Sequence, residues 1–189
     1  SGLRVTAGKA FIHERVADVD FRITGQNFFQ VNTAGADALV ELVRDALQPE
    51  GTDTLLDAYA GGGLFSATVG ASCSHTLAVE SHPGGVADLK HNAPEAEPIK
   101  ARVEHIEGGN WDIVVADPPR AGLRAAGVGA ITAPRPRAVA LVSCDAASLA
   151  RDSRLMIDAG YTLVEVTPVD LFPQTFHIEA VARFEATDS

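Results

Sequence analysis

Residues 54–65, with the sequence TLLDAYAGGGLF, are the most informative stretch of this chain about its fold. The apolar start of the stretch predicts a buried strand, which ends at Asp57. Three consecutive glycines then predict a tight turn, and Leu64 begins a helix that runs to Val69. A strand, a glycine-rich turn and a helix in this order are typical of an open α/β sheet at its ligand-binding edge. The glycines do not follow the G-x-G-x-x-G spacing, so a dinucleotide is not the first choice of ligand.

Strands and helices alternate along the chain on both sides of this stretch. Before it, the pattern predicts strands at 3–6, 11–15 and 19–23, and a helix at 34–47 that Asn32 and Thr33 cap. After it, the pattern predicts strands at 76–80, 101–105, 113–117, 138–142, 161–166 and 178–184. Helices are predicted at 84–92 and 146–159, and residues 120–132 as a glycine-bearing loop with a weak helix.

This alternation predicts helices on both faces of a mostly parallel sheet. The last two strands leave no room between them for a crossover helix, so we expect them to pair antiparallel at one edge of the sheet. A doubly wound, Rossmann-like sheet with a reversed final strand is the architecture of class I S-adenosylmethionine-dependent methyltransferases. The sequence therefore predicts an α/β fold of this class.

The composition is that of one globular domain. The chain has 189 residues, of which 46% are hydrophobic and 21% charged, which is enough for a real core. Its two cysteines, Cys73 and Cys144, are too few for a disulfide framework or a zinc or iron–sulfur cluster, so we expect no metal. Since no signal peptide or membrane-spanning run is visible, we expect a reduced, cytoplasmic protein with no membrane partner.

The charge distribution bears on the kind of partner. A net charge of −10 argues against bulk attraction to nucleic acid. Residues 113–155, however, hold six arginines against three aspartates, which gives this window a net charge of +3. The window either faces an anionic partner or is ordinary solvated surface.

Acidic residues end two further predicted strands. Glu80 ends the next strand, 23 residues after Asp57, and an acid there suits a ribose 2′-hydroxyl. The glycine turn and this acid favour a cofactor that carries adenosine; the alternative is a structural turn with a capping acid. Asp117 is presented on a rigid turn by Pro118 and Pro119. Such turns in methyltransferases usually line the site of the methyl acceptor; the alternative is an ordinary turn.

Cys144 follows the apolar run at 138–142, so it lies at the ligand-binding end of its strand. A thiol beside a cofactor turn is a candidate nucleophile. A lone cysteine is more often a buried and unreactive residue. The motifs around Cys144 are what favour the nucleophile.

Five separated motifs resemble one family, in order, over residues 20–185. They are FFQVN at 28–32, DAYAGGGLF at 57–65, DPPRAG at 117–122, VSCD at 142–145 with LARD at 149–152, and DLFPQTFHIE at 170–179. Together they look like the RNA uridine-5-methyltransferases, which make 5-methyluridine in tRNA or ribosomal RNA.

The resemblance implies S-adenosylmethionine as the methyl donor and RNA as the substrate. It implies that Cys144 is the nucleophile and that Glu179 is the base that takes the C5 proton. It also implies a set of cofactor-binding positions at the strand ends and the glycine turn: Gln30, Asp57, Tyr59, Gly61, Gly63, Glu80 and Asp117.

The chemistry of uracil agrees with this assignment. Carbon C5 of uracil is a poor nucleophile, and a thiolate that adds to C6 turns C5 into an enolate carbon able to attack a sulfonium methyl group. A base must then remove the C5 proton so that the thiolate can leave. Because a free thiol has a pKa of about 8.5, we expect activation, with Arg151 and the sulfonium as candidate sources.

Three positions depart from the family pattern: Asp145 and Leu64 replace a usual Asn, and Gln174 replaces a usual His. A carboxylate beside the thiol opposes activation unless Asp145 points away or is paired. The family generally also carries an RNA-binding β-barrel and a central substrate-recognition region. We therefore expect residues 33–189 to be the catalytic domain, residues 1–32 to be a remnant of the preceding region, and the RNA-binding domain to be missing.

Two other functions fit the sequence. A class I methyltransferase could act on another target such as cytosine C5, although the segment FHIE at 176–179 fits the uridine enzymes better. A non-catalytic module that binds cofactor or RNA is the second alternative. It is favoured by Asp145 and by the missing domain.

Overall fold

The structure is a computed structural model, which describes residues 10–25, 27, 29–30, 32–106, 108–171, 174–175 and 178–187. Its strands are β1 (Phe11–Val16), β2 (Val19–Thr24), β3 (Thr54–Ala58), β4 (His75–Val79), β5 (Glu97–Ile99), β6 (Ile113–Ala116), β7 (Ala138–Ser143), β8 (Tyr161–Val169) and β9 (Glu179–Ala186). Its helices are α1 (Thr33–Leu47), α2 (Leu64–Thr68), α3 (Pro83–Asn92), α4 (Arg124–Thr132) and α5 (Ala146–Asp158). The strand predicted at 3–6 lies outside the described residues. Across the described ranges, every helix is too short or too polar to cross a membrane.

Within these residues, seven strands form one sheet in the order β5-β4-β3-β6-β7-β9-β8. Strands β3 to β7 run parallel to one another in this sheet. Strand β9 runs antiparallel to both β7 and β8, between which it is inserted. Strands β1 and β2 form a separate antiparallel hairpin. The predicted mostly parallel sheet with a reversed final strand is confirmed.

Hydrophobic cores cover both faces of the sheet, because successive side chains of a strand point to opposite faces. One core contains Leu39 of α1, Phe21 of the hairpin and Leu55 of β3. The other contains Met156 of α5 and Leu56, the next residue of β3. The central strands are therefore buried on both sides, which explains why they are continuous apolar runs in the sequence.

Polar caps fix where two of the predicted helices begin. The Asn32 side chain accepts a hydrogen bond from the Gly35 N–H at the start of α1. Asp145 accepts one from the Ser148 N–H at the start of α5, at 2.8 Å. Each cap satisfies a backbone N–H that has no partner inside its helix. After α5, Gly160 adopts a φ of +89°, which turns the chain into β8 as its position in the sequence predicts.

The strand predicted at 101–105 is wrong. That stretch contains a 3₁₀ turn at Val103–His105, and the strand on this side of the sheet is β5, which pairs with β4. Strand β5 contains Pro98, and proline has no N–H to donate to a neighbouring strand. Because β5 is the edge strand, it needs backbone hydrogen bonds on one side alone, and an edge tolerates proline.

Candidate functional site

A cavity of about 590 Å³ opens at the carboxyl ends of the parallel strands. Parallel strands all end at the same edge of a sheet, so residues that follow different strands meet there. The residues predicted from the sequence that line this cavity are Gln30, Tyr59, Gly61, Glu80, Asp117, Cys144 and Glu179. The sequence and the fold thus converge on one site. Asp57 and Gly63 lie outside the lining of this cavity.

The glycine turn between β3 and α2 adopts a backbone that side chains resist. Gly61 has a φ of +53° and Gly63 a φ of +91°, in the left-handed region that favours glycine. At Gly63 a Cβ atom would also stand 2.9 Å from the Leu89 side chain. Gly63 therefore lets α2 begin close against α3, while Gly61 brings its backbone to the cavity.

Asp57 is buried behind the turn. One carboxylate oxygen accepts a hydrogen bond from the Ser66 hydroxyl at 2.6 Å, and the other, Oδ1, has no hydrogen-bond partner among the described residues. Burial raises the pKa of Asp57 to about 6. Such a carboxylate gains from a positive charge or a donor brought into the neighbouring cavity.

Glu80, which directly follows β4, holds the glycine turn through hydrogen bonds. Its carboxylate accepts hydrogen bonds from the Gly61 N–H at 2.9 Å and from the His82 N–H at 2.5 Å. Gly85 of α3 packs so closely that a Cβ atom there would stand 2.9 Å from Glu80 Cγ. Glu80 therefore has little room to move, and its oxygens stay at the cavity.

Asp117 lies at the end of β6, directly before the turn formed by Pro118 and Pro119. Burial, with smaller effects from the charges of Glu179 and Asp57, raises the pKa of Asp117 to about 7. Burial therefore disfavours the ionised forms of two neighbouring carboxyl groups, Asp117 in the cavity wall and Asp57 behind it. A bound cation would relieve that cost.

Helix α5 holds the loop that follows this turn. The Ser148 hydroxyl donates to the Arg120 carbonyl at 2.8 Å, and Arg151 donates to the Ala121 carbonyl at 2.7 Å. Asp152, which is 1% exposed, accepts from the Leu123 N–H at 2.7 Å. The helix that begins just after Cys144 thus positions the loop that carries Arg120 into the cavity lining.

Cys144 and Glu179 meet because of the register between β7 and β9. Ser143 pairs with Ala180 in this antiparallel ladder, so the next position along brings Cys144 opposite Glu179. Cys144 is a free, half-buried thiol, and Glu179 is 7% exposed. Burial raises the pKa of Glu179, and the charge of Arg120 opposes that rise. A thiol and a carboxyl group with raised basicity therefore face one cavity.

The arginine expected to activate the thiol is engaged elsewhere. Arg151 forms an ion pair with Asp152 at 2.8 Å and lies outside the cavity lining, whereas Arg120 lies within it. Asp145 is paired as the cap of α5, and its hydrogen bond with the Ser148 N–H lowers the pKa of Asp145. The Asp145 carboxylate is therefore engaged by the first turn of α5.

Part of the cavity wall was not singled out by the sequence. Residues 101–104 line it, and the Tyr59 hydroxyl donates to Glu104 Oε1 at 3.4 Å. Burial raises the pKa of Tyr59. These residues follow β5, where Pro98 masked the strand, so the end of that strand carried no recognisable signal.

Comparisons with known proteins bear on the family. No protein-family model matches the chain. An uncharacterized RNA methyltransferase of Halalkalibacterium halodurans is 34% identical over 194 residues, which cover 96% of this chain and 42% of the relative. Another, from Gloeobacter violaceus, is 37% identical over 96% of this chain and 41% of the relative. The chain thus spans about two fifths of the length of these curated relatives.

Solved structures agree. A Pyrococcus abyssi tRNA (uracil-54, C5)-methyltransferase in complex with S-adenosyl-L-homocysteine matches with a TM-score of 0.84 and 32% identity, over 94% of this chain and 45% of that one. The M. jannaschii protein TYW2 in complex with AdoMet matches with a TM-score of 0.69 and 15% identity, over 97% of this chain and 90% of that one. At 15% identity the second likeness concerns the fold alone. The class I methyltransferase fold predicted from the sequence is confirmed, and so is the resemblance to RNA methyltransferases.

Proposed function

We propose that this chain, a homologue of RNA methyltransferases over nearly its whole length, transfers a methyl group from S-adenosylmethionine to C5 of a uridine in RNA. Residues 33–189 form the catalytic domain in this proposal. The observation that carries it is the meeting of Cys144 and Glu179, in strand register, at the cavity that Glu80 and the glycine turn also line. The likeness to a tRNA (uracil-54, C5)-methyltransferase at 32% identity supports uracil C5 as the target.

The residues at the cavity fit the proposed cofactor. A volume of about 590 Å³ is within the range of small-molecule sites. Glu80 offers carboxylate oxygens to ribose hydroxyls, and the backbone of Gly61 lets a ligand come close. The carboxyl groups of Asp57 and Asp117 complement a ligand with positive charges, and Asp57 Oδ1 is a buried acceptor that has no hydrogen bond within the described chain. Gln30 and Tyr59 complete the wall.

The chain's own groups account for the covalent steps. The Cys144 thiolate forms a bond from Sγ to C6 of the uracil ring, and the electron pair of the C5–C6 bond becomes available at C5. S-adenosylmethionine, when bound, supplies the methyl group that C5 accepts. Glu179 then takes the proton from C5, the C5–C6 double bond re-forms, and the Sγ–C6 bond breaks. The raised pKa of Glu179 makes it a better proton acceptor than an exposed carboxylate.

The likeness to RNA methyltransferases supports RNA as the partner in this proposal. A uridine within RNA has to turn out of its stack to reach a cavity, at a cost of about a few kcal/mol. Arg120, at the cavity lining, offers a positive charge near the entering nucleotide. Because the chain spans about two fifths of the length of its curated relatives, we propose that the remaining length of a protein like them supplies most of the contacts to RNA.

Nucleoside analysis tests this proposal. The chain is incubated with S-adenosylmethionine and tRNA or ribosomal RNA, and the RNA is digested and examined by mass spectrometry. We expect 5-methyluridine with the wild type and none with Cys144→Ala. Formation of 5-methylcytosine instead would contradict the target, and equal activity of Cys144→Ala would contradict the covalent mechanism.

A further inference from the structure

We propose that Asn92 is a positioning residue for cofactor binding, which holds the glycine turn through the carbonyl of Gly62. The proposal rests on the proposed function, since it assumes that the turn binds the cofactor. Asn92 is the last residue of α3 and lies outside the five motifs of the sequence. Its role follows from its contacts.

The side-chain amide of Asn92 makes hydrogen bonds to two separate segments of the chain. The amide nitrogen donates to the Gly62 carbonyl at 2.8 Å and to the Arg22 carbonyl at 2.9 Å. The amide oxygen accepts from the Arg22 N–H at 2.9 Å. The Arg22 backbone thus fixes which way the amide faces, because the reverse orientation would set its NH₂ group against an N–H. Asn92 therefore joins strand β2 to the glycine turn.

The glycine turn needs such a restraint. Three glycines in succession have access to many backbone conformations, and an unrestrained turn would lose that freedom only when a ligand binds. Glu80 holds the Gly61 N–H, and Asn92 holds the Gly62 carbonyl, so the two contacts fix the peptide groups on either side of the Gly61–Gly62 peptide. The Gly63 N–H then donates to the Ala60 carbonyl at 2.8 Å. The turn is set in one shape before the cofactor arrives.

Helix α3 can hold the turn because it is itself anchored to the hairpin. Asp88, which is 1% exposed, accepts from the Thr24 N–H at 2.9 Å and from the Thr24 hydroxyl at 2.7 Å. It also accepts from the Asn27 side chain at 2.5 Å. The hairpin and the segment that leads to Gln30 are thereby tied to the helix that supports the turn.

Affinity for S-adenosylhomocysteine, measured by calorimetry on the 189-residue chain, tests the role of Asn92. Asn92→Asp keeps the size of the side chain and the acceptor for the Arg22 N–H, but it removes both donors. We expect the affinity to fall about 3- to 10-fold, the range that one hydrogen bond supports. Lys90→Ala, on the exposed face of the same helix, should stay within about 2-fold of the wild type.

Thr24→Val separates positioning from general stability. It removes only the bond from the Thr24 hydroxyl to Asp88. The Thr24 N–H and the Asn27 side chain still hold Asp88, so α3 stays anchored, and the bond from Asn92 to the Gly62 carbonyl is untouched. We expect it to lower the melting temperature while the affinity stays within about 2-fold. If the affinity losses of Thr24→Val and Asn92→Asp simply follow their losses of melting temperature, Asn92 is only structural and the proposal is overturned.

Amide hydrogen exchange gives a readout without any ligand. In the cofactor-free chain, Asn92→Asp should speed exchange of the Gly63 N–H relative to the wild type, and Thr24→Val should not. Equal exchange in all three would overturn the proposal. A wild type that fails to bind S-adenosylhomocysteine would contradict the proposed function instead, and the exchange data would still decide the role of Asn92.

Discussion

Cys144 and Glu179 are 35 residues apart in the sequence, and the register of β7 against β9 brings their positions opposite each other. If Glu179 removes the C5 proton, its loss leaves the methylated nucleotide bound to the thiol. We therefore predict that Glu179→Gln accumulates a covalent complex with ordinary uridine-containing RNA, while turnover falls about 10²- to 10⁴-fold. Denaturing mass spectrometry of the complex is the measurement. Glu185→Gln, near the far end of the same strand, is the control and should turn over normally.

The raised pKa of Asp117 predicts that the free energy of unfolding depends on pH. Its pKa is about 7 in the folded chain against 3.8 for an ordinary carboxyl, so between about pH 4 and 7 the folded state binds more protons than the unfolded state. Stability from this group is therefore fully present below pH 4 and is lost as the pH rises to 7. Asn cannot ionise, so its stability does not fall in this way. The free energy of unfolding of Asp117→Asn, relative to that of the wild type, should therefore rise by about 2 kcal/mol from pH 5 to pH 8.

Urea unfolding at the two pH values measures this difference. The exposed residue Asp45 provides the control, because Asp45→Asn should leave the difference between pH 5 and pH 8 unchanged. If the difference in free energy of unfolding between Asp117→Asn and the wild type is also the same at pH 5 and pH 8, the Asp117 carboxyl is not desolvated in the folded chain.

At the scale of elements, α5 links the thiol to the loop after Asp117. Asp152 accepts hydrogen bonds from the backbone N–H groups of Leu123 and Arg124, at 2.7 and 3.1 Å. In Asp152→Asn an amide NH₂ group would replace one acceptor and remove the charge that pairs with Arg151. We predict a loss of about 1–3 kcal/mol in the free energy of unfolding, measured with urea. Asp158→Asn, exposed at the end of the same helix, should change it by less than about 0.5 kcal/mol.

The elements differ in how well the sequence predicts them, for physical reasons. Strands β3, β6 and β7 are buried on both faces, so their continuous apolar runs and polar ends identify them and the cavity residues that follow. Strand β5 is short, lies at the edge and contains Pro98, so neither periodicity nor composition indicates it. Asn92 and Asp88 are polar residues within a helix. Their partners are backbone groups and side chains 30 to 70 residues away, which no local pattern predicts.

Charge is best judged at the scale of the whole molecule. The basic window at 113–155 is not a free cationic face, because three of its arginines form ion pairs with aspartates: Arg137 with Asp53, Arg151 with Asp152 and Arg154 with Asp158. These pairs support the structure around the sheet. Since the chain has a net charge of −10, we propose that attraction to RNA comes from few local charges such as Arg120 and, in a protein as long as the curated relatives, from the rest of its length.

The hairpin is a second feature of the whole molecule. Its two strands match those predicted at 11–15 and 19–23, whereas the assignment of residues 1–32 to a remnant of a preceding region stays a prediction. In the structure Val16, Phe21 and Ile23 of the hairpin lie in the same core as α1 and β3. Burial of three apolar side chains is worth about 1.5–3 kcal/mol for each, so we propose that the hairpin is required for folding of the catalytic domain.

An adduct with 5-fluorouridine in RNA is the sharpest test of the proposed attack of Cys144 on C6 of a uridine. The chain, as wild type and as Cys144→Ala, is incubated with S-adenosylmethionine and RNA in which 5-fluorouridine replaces uridine, and is then examined by denaturing mass spectrometry. Fluorine cannot leave C5 as a proton does, so the methylated adduct should persist. We expect an adduct of protein, nucleotide and methyl group on the wild type and none on Cys144→Ala. An adduct on both proteins, or methylation of the RNA without any adduct on the wild type, would rule out attack by Cys144.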